Sequence, residues 1–193
     1  MGKIFLIDLF AYLAGSVNFA IIFFKLTGKE DPRLNYSGNA GTTNVYRQAG
    51  YFWAAAVLLL DIGRALAVAV VAVHFLEAQH LPWSCFFLVL GNSFPCLHGF
   101  CGGKGVANDL GFTVLIAPWA AVIASAAWLV VYGLGRIPFI ASFFMIFTLA
   151  CGQALTLNWN FIATTGALAT FLLISFNHRK NIANYNKTKD KIL

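Results

Sequence analysis

The cations of this chain are segregated, and the stretches between them are apolar. Eleven of the thirteen Lys and Arg residues fall in four places. Lys25, Lys29, Arg33 and Arg47 share one loop; Lys104 and Arg136 stand in two others; Arg179, Lys180, Lys187, Lys189 and Lys191 are in the tail. Between and around them run seven hydrophobic stretches, at about 4–24, 51–76, 83–98, 105–117, 118–134, 139–156 and 159–177. These are rich in Leu, Val, Ala, Ile and Phe without a sustained two-residue alternation, which favours helices over a β-barrel. Only 10% of the residues are charged and 60% are hydrophobic, whereas a soluble domain carries about 25% charged residues. The fold class expected is all-α: a polytopic transmembrane helix bundle forming one domain over 1–193.

Charge placement sets a topology. The segments Glu77–Trp83 and Leu155–Trp159 hold no Lys or Arg. The positive-inside rule puts the four basic places in the cytoplasm and these neutral ones outside. The N-terminus is then external, the tail cytoplasmic and the number of spans odd. Between Lys104 and Arg136 the chain must cross and return in about 30 residues at about 1.5 Å each, so one crossing is short. Pro118 is the natural break. Seven spans are expected, or five if this region is re-entrant or interfacial. The first stretch holds Asp8 and runs into Lys25 rather than a small-residue cleavage site, so it reads as a retained helix. Topology explains the net charge of +6 better than nucleic acid does. The four cysteines show no metal-type spacing with histidine, so neither metal nor cofactor is expected.

Two short segments carry chemistry. In Ser37-Gly38-Asn39-Ala40-Gly41-Thr42-Thr43-Asn44 the glycines let backbone N–H groups form an anion nest. The Ser, Thr and Asn side chains complete it, and Arg47 can clamp a pair of phosphate oxygens. A helix starting near Thr42 would add its dipole. The plainer reading is a turn-rich connector, but five polar side chains in eight residues exceed what a connector needs. The pattern is not a Walker A loop. The second segment, Gly102-Gly103-Lys104-Gly105, permits close approach and adds a cation; alone it also fits a flexible loop with a snorkelling lysine. A third motif, His178-Arg179-Lys180-Asn181, sets His178 and Asn181 three apart on one helix side. Asp61 and Arg64, three apart within a span, read as a structural ion pair supporting the first loop. Asp8 reads as interfacial. Polar groups from distant parts of the chain thus meet at the cytoplasmic face, as a phosphorylated, partly lipidic substrate requires.

The order Gly15-Ser16-x-Asn18-Phe19, Ser37-Gly38-Asn39-x-Gly41-x-Thr43-Asn44-x-x-Arg47, Asp61, Gly91-x-x-Phe94-Pro95, Gly102-Gly103-Lys104-Gly105-Val106-Ala107, Ser142 and His178-Arg179-x-Asn181-Ile182 resembles the bacterial acyl-phosphate glycerol-3-phosphate acyltransferases. The resemblance spans nearly the whole chain. It implies a seven-helix fold in the bacterial inner membrane, with its site facing the cytoplasm. It implies acyl transfer from acyl phosphate to the first hydroxyl of glycerol-3-phosphate, giving lysophosphatidic acid for phospholipid synthesis. By the same resemblance Ser37, Gly38, Asn39, Gly41, Thr42, Thr43 and Asn44 would hold acyl phosphate. Arg47, Lys104, Ser142, His178 and Asn181 would hold glycerol-3-phosphate, with His178, Lys104 and Arg47 the catalytic set. The sequence departs from the family pattern at Asn92 (usually His), Cys101 (Lys), Thr42 (Ala), Arg64-Ala65 (Lys-Gly), Asn108 (Thr) and Lys187-Thr188-Lys189 (Gly-Thr-Glu).

An acyl phosphate is already activated, so no enzyme nucleophile is needed and catalysis reduces to positioning and charge stabilisation. The expected partners are the two substrates and membrane lipid, with no nucleic acid and the chain acting as a monomer. Two other classes fit parts of the pattern. One is a transporter of a phosphorylated solute, against which no internal repeat stands out. The other is a catalytically weak relative that binds lipid or acyl phosphate.

Overall fold

A computed structural model describes the backbone of residues 1–189 and side chains as far as Tyr185; the tail cations Lys187, Lys189 and Lys191 lie outside the described side chains. Helices α1 (Gly2–Ser16), α2 (Phe19–Leu26), α3 (Thr42–Ala49), α4 (Tyr51–Phe75) and α5 (Leu81–Ser93) make the first half. Helices α6 (Val106–Ile116), α7 (Pro118–Gly135), α8 (Pro138–Thr156), α9 (Phe161–Asn177) and α10 (Arg179–Lys189) make the second. The described residues contain no strand.

Local chemistry sets most boundaries. Proline opens α7 and α8, where its missing N–H costs nothing. Asn160 caps α9 by accepting the N–H groups of Ile162 and Ala163 at 3.0 and 3.2 Å. The break at Pro118 falls where expected. The first stretch is not one uninterrupted helix, however. It breaks at Val17 and Asn18 because Asn18 caps α2, accepting from Ile21 at 3.1 Å, while its amide donates to Ala40 O at 3.2 Å. The stretch expected over 83–98 ends as a helix at Ser93, where Pro95 and a short 3-10 turn over Cys96–His98 take over.

Four segments are long and apolar enough to cross a bilayer: Gly2–Leu26, Tyr51–Phe75, Pro118–Gly135 and Pro138–Thr156. Counting α9 with the start of α10, bent by 46°, makes five. Helix α6 has 11 residues, about 16 Å at about 1.5 Å per residue, well short of the ~30 Å hydrocarbon core.

Helix α5 packs between α1 and α9, and α6 packs against α4, α7 and α8. Small residues make the crossings tight. A side chain at Gly15 or Gly91 would collide with backbone of the facing helix, at Leu88 O and Tyr12 O respectively. Apolar packing alone distinguishes poorly between helix and lipid, so such close backbone approach matters. Polar pairs add to it. Gln153 donates to Asp109 at 3.1 Å and to Thr113 at 2.8 Å, linking α8 to α6. Asp8 is buried and accepts the Ser84 hydroxyl at 2.6 Å, joining α1 to α5. Its neighbour across the helix pair explains its position, which the chain alone does not reveal.

Candidate active site

The first loop is organised by its own amides. Asp31 accepts the Arg33 N–H at 2.9 Å and begins a 3-10 turn, Pro32–Leu34. Asn44 Nδ2 lies within reach of three carbonyls, Pro32 at 2.7 Å, Asn39 at 3.0 Å and Asn35 at 3.2 Å, and so draws the loop around itself. Gly38 turns the chain at φ +65. Gly41 then heads α3, leaving first-turn N–H groups without intrahelical acceptors.

The second loop is laced to the first. Ala40 N–H donates to Gly102 O at 3.4 Å, and Gly103 N–H to Asn92 O at 2.9 Å. Arg33, ion-paired to Asp31 at 2.6 Å, donates to His98 O and Cys101 O, both at 2.7 Å. That guanidinium holds the Asp31 carboxyl below its usual range. The end of α9 closes the third side. Asn177 Nδ2 donates to Ser93 Oγ at 2.8 Å and to Lys104 O at 3.3 Å, and Lys104 Nζ donates to Asn181 Oδ1.

A cavity of about 570 Å³ lies among these segments, within the range of small-molecule sites. Of the residues named from sequence, Ser37, Asn39, Gly41, Thr42, Thr43, Asn44, Arg47, Lys104, Ser142, His178 and Asn181 all line it. Gly38 does not; it shapes the turn behind the lining. Asn44 lines the cavity with its amide nitrogen engaged on the loop itself. Ser142 donates to Pro138 O at 3.0 Å and receives Trp128 Nε1 at 3.4 Å.

Electrostatics suit an anion. Among the described residues Arg47, Lys104 and Arg136 line the cavity, against the single carboxyl group of Asp61. Burial, and then the charge of Arg47, lower the Lys104 pKa to about 8. His178 is buried and its Nδ1 lies 2.9 Å from Ile174 O. A carbonyl only accepts, so Nδ1 carries the proton, and in the neutral ring Nε2 is left as an acceptor. Apolar side chains share the lining: Leu58, Leu110, Trp128, Leu129, Phe139 and Met145 from α4, α6, α7 and α8.

Several members lay beyond sequence reasoning. Asn92, Asn108 and Trp128 join the lining, and Asn177 ties α9 to the glycine loop. Asn92 and Asn108 carried a signal only as departures from the family pattern, Asn177 only its place beside His178, and Trp128 none.

The family described as glycerol-3-phosphate acyltransferase matches residues 5–188. A glycerol-3-phosphate acyltransferase of Anaeromyxobacter dehalogenans (strain 2CP-C) is 37% identical over 185 residues, covering 93% of this chain and 92% of its own. One from Pseudomonas fluorescens (strain Pf-5) is 44% identical over 133 residues, covering 68% and 70%. The crystal structure of PlsY (YgiH), an integral membrane glycerol 3-phosphate acyltransferase, in its glycerol 3-phosphate form superposes with a TM-score of 0.89. It is 30% identical, with 97% of this chain and 94% of that one covered. Its lysophosphatidic acid form gives a TM-score of 0.86 at 29% identity, covering 97% and 93%. The chain therefore belongs to the glycerol-3-phosphate acyltransferase family.

Proposed function

We propose that this chain transfers an acyl group from acyl phosphate to the sn-1 hydroxyl of glycerol-3-phosphate, releasing phosphate and lysophosphatidic acid. The observation that carries the reading is one cavity lined by cations and amides together with apolar side chains, from segments far apart in sequence. The cations and amides suit two phosphates and the apolar side chains suit a fatty chain.

In this reading the Ser37–Asn44 loop and the start of α3 hold the donor phosphate. Arg47, Lys104, Ser142, His178 and Asn181 hold the acceptor. The acceptor hydroxyl attacks the acyl carbonyl carbon, the tetrahedral species collapses, and the bond from carbon to the bridging phosphate oxygen breaks. The hydroxyl proton passes to an oxygen of the departing phosphate. The cations stabilise the charge that accumulates on that phosphate. His178 Nε2 accepts a hydrogen bond from the acceptor hydroxyl and orients it. The protein sits in the bacterial inner membrane with seven crossings, two of them short, and its site faces the cytoplasm. The gathering of Arg47, Lys104 and Arg136 at one cavity supports that placement.

The test is purified protein with palmitoyl phosphate and glycerol-3-phosphate, following phosphate release. Release should require the acceptor. Replacing Lys104 or Arg47 by Ala should lower kcat/KM for glycerol-3-phosphate by about a hundredfold, the scale of a lost charge-assisted contact to phosphate. Release that ignores the acceptor, or survives both substitutions, contradicts the site.

A further inference from the structure

Behind the cavity, α4 carries a guanidinium that no step above uses. The Arg64 side chain is largely covered, with Nη2 2.9 Å from Asp61 Oδ1, 2.6 Å from Asn108 Oδ1 and 3.4 Å from Asn92 Oδ1. Nη1 donates to Val17 O and lies 3.4 Å from Gly15 O, the carbonyls freed where α1 breaks into α2. The guanidinium also lies over the Phe19 ring, 5.2 Å from its centroid. Five acceptors on α4, α5, α6 and the α1–α2 break thus converge on one side chain. A lysine cannot reproduce this, because its three donors leave a single point.

Two of these acceptors lead directly to the glycine loop that carries Lys104. Asn92 accepts Gly103 N–H through its own carbonyl at 2.9 Å, so its position sets that of the Gly102–Gly105 loop. Asn108 lies in the first turns of α6, just after Lys104 and Gly105. Asp61 itself lines the cavity. Without Arg64 that carboxyl group would lose the partner that compensates its charge at the cavity wall.

Resting on the functional reading above, we propose that Arg64 is a positioning residue with two effects on acceptor use. It neutralises Asp61, which would otherwise repel glycerol-3-phosphate, and its fork holds α1, α4, α5 and α6 so that the Lys104 loop meets the acceptor in register. It touches neither substrate. The two effects separate by substitution. Arg64→Met removes both charge and fork. Arg64→Met with Asp61→Asn removes the fork and the repelling charge together. Arg64→Lys keeps the charge and loses the fork.

Each variant is purified in detergent and assayed for turnover with palmitoyl phosphate and for glycerol-3-phosphate binding by calorimetry, well below its melting temperature. R64M should raise KM and Kd for glycerol-3-phosphate about tenfold or more, because like charges then face each other in a desolvated site. Adding D61N should restore both to within about threefold of wild type, since the repelling charge is gone. R64K should leave KM within about threefold and lower kcat about tenfold, as expected of a misplaced but still charged site. A double variant no better than R64M overturns the charge effect, and R64K indistinguishable from wild type in kcat overturns the clamp. If R64M alters melting temperature alone, Arg64 only supports the fold and the proposal is wrong. Should R64M fail to accumulate, the double variant and R64K decide by the same criteria. Wild-type protein that binds glycerol-3-phosphate without turning over contradicts the functional reading instead, and the binding constants then carry the Arg64 comparison.

Discussion

Lys104 concentrates the site's electrostatics in one atom. Its ammonium is half-buried, donates to Asn181, and lies in the field of Arg47. Losing water and facing a like charge both favour the neutral amine, so its pKa falls to about 8. In the free enzyme the cation is therefore present below that value and lost as pH rises through it. A bound phosphate dianion acts the other way and holds the proton on. The alkaline limb of kcat/KM for glycerol-3-phosphate should then fall near pH 8, following the free Lys104. The limb of kcat at saturating acceptor should lie higher. Lys104→Arg should remove the first limb, because a guanidinium stays charged up to about pH 12; its rate will be lower, but the profile is the readout. A limb near pH 8 that persists in K104R would assign the titration to another group. Asn44 teaches a different lesson at this scale. Its sequence context reads as a ligand amide, yet its nitrogen binds the loop's own carbonyls. Residue type and spacing show which groups are polar, but not which polar groups the backbone has already claimed.

Among the elements, the two loops matter as a pair. Gly103 lies where a Cβ would come 2.7 Å from Asn92 Nδ2 and 3.1 Å from Ala40 O, between the second loop and the first. Gly103→Ala should push them apart by a few tenths of an ångström or more while leaving the helix crossings intact. Small misplacements at a positioning-dominated site are costly, so kcat/KM should drop about a hundredfold with little change in melting temperature. Near wild-type kinetics would mean the loops are not held in register by this contact. Gly91→Ala offers the contrast, since it drives a side chain into the backbone at Tyr12 and should lower the melting temperature itself. Boundaries with local causes are legible in part: Pro118 starts a helix where a break is expected, and Pro138 starts one beside the stretch expected from 139. The end of α5 at Ser93 is not, since the expected stretch runs on through Pro95 to 98. The break at Asn18 was not, because its capping side chain is fixed by Ala40, 22 residues on. The Asp61–Arg64 pair was legible from its spacing of three, and it forms. Its reach was not: Arg64, Asn92 and Asn108 stand apart in sequence, each a departure from the family pattern, and only the packing of α4, α5 and α6 brings them to one guanidinium.

For the molecule as a whole, the open physical question is how it lies in the bilayer. Length alone marks four spans, or five with the bent pair, and α5 and α6, at 13 and 11 residues, fall below the roughly 20 a crossing helix needs. Short helices have a use here. A glycine loop that joins two of them can sit below the bilayer surface, half-burying Lys104 where its charge acts through a low dielectric. The direction in which that recess opens follows from charge: Arg47, Lys104 and Arg136 cluster at it, while the α4–α5 connection at Glu77–His80 carries no Lys or Arg. The recess should face the cytoplasm. Cys96 and Cys101 are exposed on the α5–α6 connection and serve as reporters. With Cys101 as the sole cysteine, a membrane-impermeant maleimide should leave intact spheroplasts unlabelled and react once they are permeabilised. Glu77→Cys in a cysteine-free background should behave the opposite way, reacting in intact spheroplasts. Labelling of Cys101 from outside would invert the molecule and set its phosphate-binding end away from cytoplasmic glycerol-3-phosphate. Labelling of both positions from the same side would require an even number of crossings between Glu77 and Cys101, so that α5 does not span the bilayer.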